Sequence, residues 1–88
     1  GLRRIEVLAN SSASLTSALA NAKAGDLIII PEGYYILSQS IVFSGTGAPD
    51  RWITIQAAPN ASPTLDFNNA GDFRISGSYL WMEGIEII

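Results

Sequence analysis

The feature that most constrains this chain is its punctuation. Runs of β-branched, aliphatic and aromatic residues (Leu27–Ile30, Ile41–Phe43, Trp52–Gln56, Thr64–Phe67, Phe73–Ser76, Tyr79–Glu83 and Ile85–Ile88) are broken by clusters of Gly, Pro, Asn and Ser. The runs have the length and composition of strands, and the clusters have the chemistry of turns. None of the breakers is the two-residue Asn-Gly or Asp-Gly loop that favours a tight antiparallel hairpin. Ile28, Ile53 and Phe73 are spaced 25 and 20 residues apart, and Ile41, Leu65 and Ile85 are spaced 24 and 20, so two series share one period. A period of about 20 to 50 residues, with several short strands per unit, is the pattern of a solenoid, here a parallel β-helix. A β-sandwich also gives a strand about every 8 to 12 residues, so the period alone leaves it open.

One segment has helical spacing and favours the coil. Leu15, Ala18, Leu19 and Ala22 recur at i, i+3, i+4 and i+7, Ser14 precedes them as an N-cap, and Gly25 follows where a left-handed residue ends a helix. The spacing predicts a helix over 14–24, with a narrow stripe of two Leu and two Ala. A solenoid exposes the interior of its first rung, and an amphipathic helix placed just before the first core strand would cover it. With 88 residues the chain has room for a single domain: a leading strand and loop over 1–13, the cap, and about three rungs over 26–88. The closing strand Ile85-Glu86-Ile87-Ile88 carries no turn or polar closure, which is expected of a fragment of a longer coil.

Composition narrows the chemistry. The chain has no His and no Cys, which excludes imidazole bases, thiol nucleophiles, disulfides and Cys/His zinc sites. Five Lys and Arg against eight Asp and Glu give a net charge of -3, and the scattered cations form no phosphate-tracking stripe, so nucleic acid is not an expected partner. No apolar run is long enough to cross a bilayer. Ser44-Gly45-Thr46-Gly47 leads into Ala48-Pro49 rather than Gly-Lys-Ser/Thr, so it is not a phosphate loop.

Three groups of residues carry a resemblance. The opening residues Ser14-Leu15, Ala18-Leu19, Ala24-Gly25-Asp26, Ile28, Ile30-Pro31, Gly33 and Tyr35 resemble the start of right-handed parallel β-helix proteins of the pectate-lyase-like superfamily. Ser44–Gly47 with Trp52–Ala57, and then Phe73–Ile87, are similar to the first rungs of the chondroitinase-B and alginate-lyase family and of the family-nine pectate lyases. The resemblance implies an all-β, right-handed parallel β-helix with an N-terminal capping helix. It also implies a secreted, extracellular protein whose partners are an acidic polysaccharide and the remaining rungs of its own chain. The reaction it implies is β-elimination: a cation, usually Ca²⁺ held by carboxylates, neutralises the uronate, and a Lys or Arg removes the C5 proton. The same superfamily includes glycoside hydrolases, adhesins and tailspikes, so a hydrolase or a non-catalytic binding coil is the alternative.

Few residues can carry that chemistry within this segment. Alternation from Phe73 and Ile75 puts Asp72, Arg74 and Ser76 outward; Arg74 is the candidate for an anionic sugar, or else a solvated partner of Asp72. Leu80 and Met82 inward turn Trp81 and Glu83 outward, as a candidate sugar-stacking ring and its polar neighbour. Lys23, the sole lysine, falls near the end of the cap helix and suits a dipole role. Asp26 is expected to hold turn amides. Asp66, Asp72, Glu83 and Glu86 lack calcium-loop spacing, so no metal is expected in this segment, and the catalytic residues are expected outside it.

Overall fold

In a computed structural model, which describes residues 3–88, the chain winds as a right-handed parallel β-helix. Its elements are β1 (Arg3–Glu6), α1 (Ser12–Ala20), β2 (Asp26–Ile30), β3 (Tyr34–Ile36), β4 (Ile41–Phe43), β5 (Ile53–Ala57), β6 (Thr64–Asp66), β7 (Phe73–Ile75), β8 (Leu80–Glu83) and β9 (Glu86–Ile87). They stack as three sheets, β1-β2-β5-β8, β3-β6-β9 and β4-β7, and every strand pair among them is parallel. The first rung is β2-β3-β4, the second β5-β6-β7, and β8-β9 begin a third. Parallel neighbours need a long connection between them, and here the rest of each rung supplies it.

The sheets regroup the sequence series. Ile28 lies beside Ile55, and Ile55 beside Met82, a step of 27 residues each time. Tyr35 lies beside Leu65 and then Ile87, and Ile41 beside Phe73. Ile53 and Phe73 are therefore in different sheets, as are Ile41 and Leu65. Equal spacing misleads because turn length varies from corner to corner, and because β3, directly after Pro31-Glu32-Gly33, goes unmarked by the runs read from sequence.

The core lies inside the coil. Ile28, Ile30, Ile53, Ile55, Tyr35, Leu37, Phe43, Leu65 and Phe67 are buried together with Val7 and with Leu15 and Leu19 of α1. Of the tyrosine pair, Tyr35 is buried and Tyr34 exposed, as strand alternation requires. The helix starts earlier and ends earlier than its apolar spacing suggests. Ser11 is the N-cap, accepting from the Ser14 N–H at 3.1 Å, while the Ser14 hydroxyl accepts from the Leu8 N–H instead. At the other end the Asn21 side-chain amide donates to the Ser17 carbonyl, and the Lys23 N–H donates to Asp26. Those bonds divert the chain from the helix, so Lys23 stands beyond it.

Corners are made by residues that tolerate left-handed backbone: Asn10, Asn60, Asn68 and Asn69 all have positive φ, as does Gly25. Two rungs approach closely at Gly77, where an added Cβ would run into the Gly45 carbonyl oxygen.

Candidate functional site

The outward-facing side chains form rows across the rungs, because parallel pairing sets equivalent positions side by side. On the largest sheet one row is Arg4, Leu27, Thr54 and Trp81, and the next is Glu6, Ile29, Gln56 and Glu83. Trp81 and Glu83 are both exposed, while Leu80 and Met82 pack against the core. At the start of the same strands stand Trp52 and Tyr79, with ring centroids 6.1 Å apart and planes at 72°, an edge-to-face pair.

Arg74 sits elsewhere. It lies on β7 beside Val42 of β4, on a different sheet from Trp81 and Glu83, so the structure does not bring the three candidates together. Its Nε donates to Asp72 Oδ1 at 2.9 Å, and Asp72 in turn accepts from the Ser40 hydroxyl and donates its N–H back to it. Both members of the ion pair are exposed, so its net stabilisation is small.

The third outer face, on β3-β6-β9, carries Tyr34, Thr64 and Glu86 in one row, with Asp66 two residues along from Thr64. The Tyr34 hydroxyl donates to Asp66 Oδ2, and that hydrogen bond to an anion holds the phenol above its usual range. Tyr34 is thus a proton-bearing donor rather than a base. Asp66 also accepts from the Asn68 N–H, and Glu86 from the Thr64 hydroxyl.

These contacts bear on cation binding. Asp66, Asp72 and Glu86 each have a side-chain or backbone donor as partner, and Glu83 stands on another sheet. Among the described residues no group of three potential ligands gathers to form an oxygen cage, so the residues present do not fit a bound Ca²⁺.

Asp26 is the one buried charged residue in the described chain. Its carboxylate receives Arg3 Nε at 3.0 Å and Arg3 Nη2 at 2.7 Å, in a two-pronged contact, and the Lys23 N–H at 2.8 Å. The Arg3 hydrogen bond holds its pKa below the ordinary value, outweighing the opposing effect of burial. The amide contact is the one its sequence position suggests. Arg3 is added by β1, whose register sets Arg3 directly beside Asp26. This is a closure for the coil's first end rather than an acid for catalysis.

A crevice of about 350 Å³ opens between α1 and the β3–β4 connection, lined by Ser12, Thr16, Ile36, Ser38 and Gln39 among others. None of the titratable candidates lines it.

The chondroitinase B family model matches residues 9–87, nearly the whole described coil. The chain belongs to the chondroitinase B family. Among solved structures, the chain is similar to the pectate lyase Pel9A, with a TM-score of 0.75 and 22 % identity over 97 % of this chain and 28 % of that one. It is also similar to the PL6 family alginate lyase AlyGC, with a TM-score of 0.69 and 20 % identity over 100 % of this chain and 11 % of that one. At that identity the likeness establishes the shared β-helix fold. No curated protein sequence matches the chain. This member of the chondroitinase B family therefore spans between about a tenth and about three tenths of the length of the two lyases it superposes on.

Sequence reasoning missed Trp52 and Tyr79 as a pair. The 27-residue step that relates Ile28, Ile55 and Met82 also relates Gly25, Trp52 and Tyr79, and aligning the rungs at that step would have found them.

Proposed function

We propose that the chain is the starting end of the β-helix of a secreted polysaccharide lyase, one that cleaves uronate-containing polysaccharide by β-elimination. The family match over residues 9–87 carries this reading. In such an elimination a base takes the C5 proton, which lies α to the uronate carboxyl group. The electron pair of that bond becomes the C4=C5 double bond, and the O4 leaving group departs with a proton. The base needs hydrogen-bond reach to C5–H and an accessible neutral form. Arg74 is tied to Asp72, and Lys23 lies in a turn outside the stacked strands. This reading assigns the reacting groups, and any Ca²⁺ that neutralises the carboxylate, to other rungs of a longer protein. Residues 3–88 have the tasks of closing the coil with α1 and the Arg3–Asp26 contact, and of offering β7, β8 and β9 for the next rung.

The test uses a longer protein that contains this chain, incubated with pectate, alginate and chondroitin sulfates, with ultraviolet absorbance reporting unsaturated uronate. Appearance of the unsaturated product on at least one polymer is the expected result. New reducing ends without unsaturation would make it a hydrolase, and binding without cleavage would make it a non-catalytic coil; either overturns the lyase reading.

A further inference from the structure

Three aromatic rings stay open to solvent along one outer edge of the largest sheet. Trp52 is 46 % exposed, Tyr79 43 % and Trp81 54 %, although Ile53 and Ile55 on the inner face of β5 are buried. Trp52 and Tyr79 stand next to each other at the start of β5 and β8, held edge to face. Trp81 lies two residues after Tyr79, on the outer face of β8, while Tyr79 stands just before that strand with a φ of 55°. Exposed apolar surface that is contiguous, rather than scattered, marks a contact site.

Two cations flank the same end of the sheet. Arg51 precedes Trp52, and its carbonyl oxygen accepts the Gly25 N–H at 3.0 Å, which draws the turn carrying Lys23 alongside. Among the described residues, Arg3, Arg4 and Arg74 each form an ion pair, whereas Arg51 and Lys23 do not. On a chain of net charge -3, unpaired cations beside uncovered rings match an anionic ligand that also has apolar faces.

We propose that Trp52, Tyr79, Trp81 and Arg51 form a subsite for an anionic oligosaccharide. The C–H faces of its pyranose rings lie on the aromatic rings, and a carboxylate or sulfate meets the Arg51 guanidinium, whose planar fork suits either group. Gln56 and Glu83, one row along the same sheet, are placed to take sugar hydroxyls. Arg74, on another sheet, takes no part. The inference rests on the lyase reading for its choice of ligand, and it assigns this segment a holding role away from the bond that is broken.

Calorimetric titration of the full chain with oligogalacturonate, chondroitin sulfate oligosaccharide and a neutral gluco-oligosaccharide tests it. At least one anionic ligand is expected to bind about tenfold more tightly than the neutral one. Trp81→Ala and Arg51→Gln should each weaken that binding by about fivefold to tenfold with the melting temperature unchanged, as loss of one stacking or charge-assisted contact implies. Trp81→Phe should recover most of the affinity, and Arg51→Gln should flatten its salt dependence, which a purely structural role would not do. Unchanged affinity in both Trp81→Ala and Arg51→Gln overturns the subsite. So does a Trp81 shielded from acrylamide in the full chain, which would mean that a protein segment covers the face. Unsaturated product formed with an unaltered KM in both variants removes the subsite and leaves the lyase intact. Binding lost in the variants of a protein that makes no unsaturated product leaves the subsite and removes the lyase.

Discussion

Asp26 shows how one residue can link the cap to the coil. It sits at the first position of β2, fully covered, and its carboxylate is shared between Arg3 of β1 and the backbone of the turn leaving α1. A carboxylate whose folded pKa is depressed contributes stability that is complete above its unfolded pKa and is lost as pH falls through the folded value. Asp26→Asn should therefore cost about 1–3 kcal/mol near neutral pH, the range for breaking a buried charge-assisted contact whose partner is half exposed. The difference from the parent chain should shrink as pH drops below the ordinary carboxylate range, because protonation then removes from the parent the charged interaction that the variant lacks at every pH. Denaturant titrations at neutral pH and near pH 3 read this directly, and a penalty that stays constant with pH would show that the charge of Asp26 is not the source. The amide contact of Asp26 was legible in Gly25-Asp26, a turn dipeptide at the start of an apolar run. Arg3 was not legible, because strand register, which no local pattern encodes, selects it.

At the scale of elements, strands were easier to read than their partners. β-branched runs and Asn/Gly/Pro corners mark where the chain is extended and where it turns, so all but β3 of the strands after the helix are visible in the residues. Which strand lies on which depends on corner length, and the corners here differ enough that Ile53 and Phe73, evenly spaced in the series read from sequence, stand on different sheets. Caps behave similarly: Ser11 and Ser14 are both able N-caps, and the Leu8 N–H that occupies the Ser14 hydroxyl leaves the role to Ser11. The inward ladder is the firmest element-level feature. Ile55, 1 % exposed, lies between Ile28 and Met82, so Ile55→Asp would bury an unpaired charge at the centre of the stack. A loss of about 3 kcal/mol or more is expected, enough to abolish folding of a small domain. Thr54→Asp, one residue away on the outer face, should cost less than about 1 kcal/mol. Circular dichroism through a thermal melt separates them, and an Ile55→Asp chain that melts like the parent would reverse the inward assignment.

The whole molecule is a stack, and a stack distributes stability unevenly because each rung contacts only its neighbours. The first rung has β1 and α1 below it and β5-β6-β7 above. The second has the first rung on one side, and on the other β8-β9 cover its β5 and β6 while β7 carries no further strand among the described residues. Its inner residues Ile53, Ile55 and Leu65 are consequently as buried as Ile28 and Ile30, whereas Leu80 and Met82 are only partly covered and Ile87 and Ile88 remain 40 % and 59 % exposed. A segment with few buried contacts opens locally at lower free energy than the core it adjoins. Amide hydrogen exchange on the 88-residue chain should therefore be slowest in β2 and β5 and fastest in β8 and β9, with β3 and β6 closer to the core pair than to the outer rung. The helix belongs to the slow group as well if its role is to cover the first rung, because Leu15 and Leu19 are fully packed against that interior. Uniform protection from β2 through β9 would mean that the coil opens as one cooperative unit. A fast-exchanging α1 beneath a protected β2 would mean that the first rung holds without its cover, and the capping role drawn from both sequence and packing would fall.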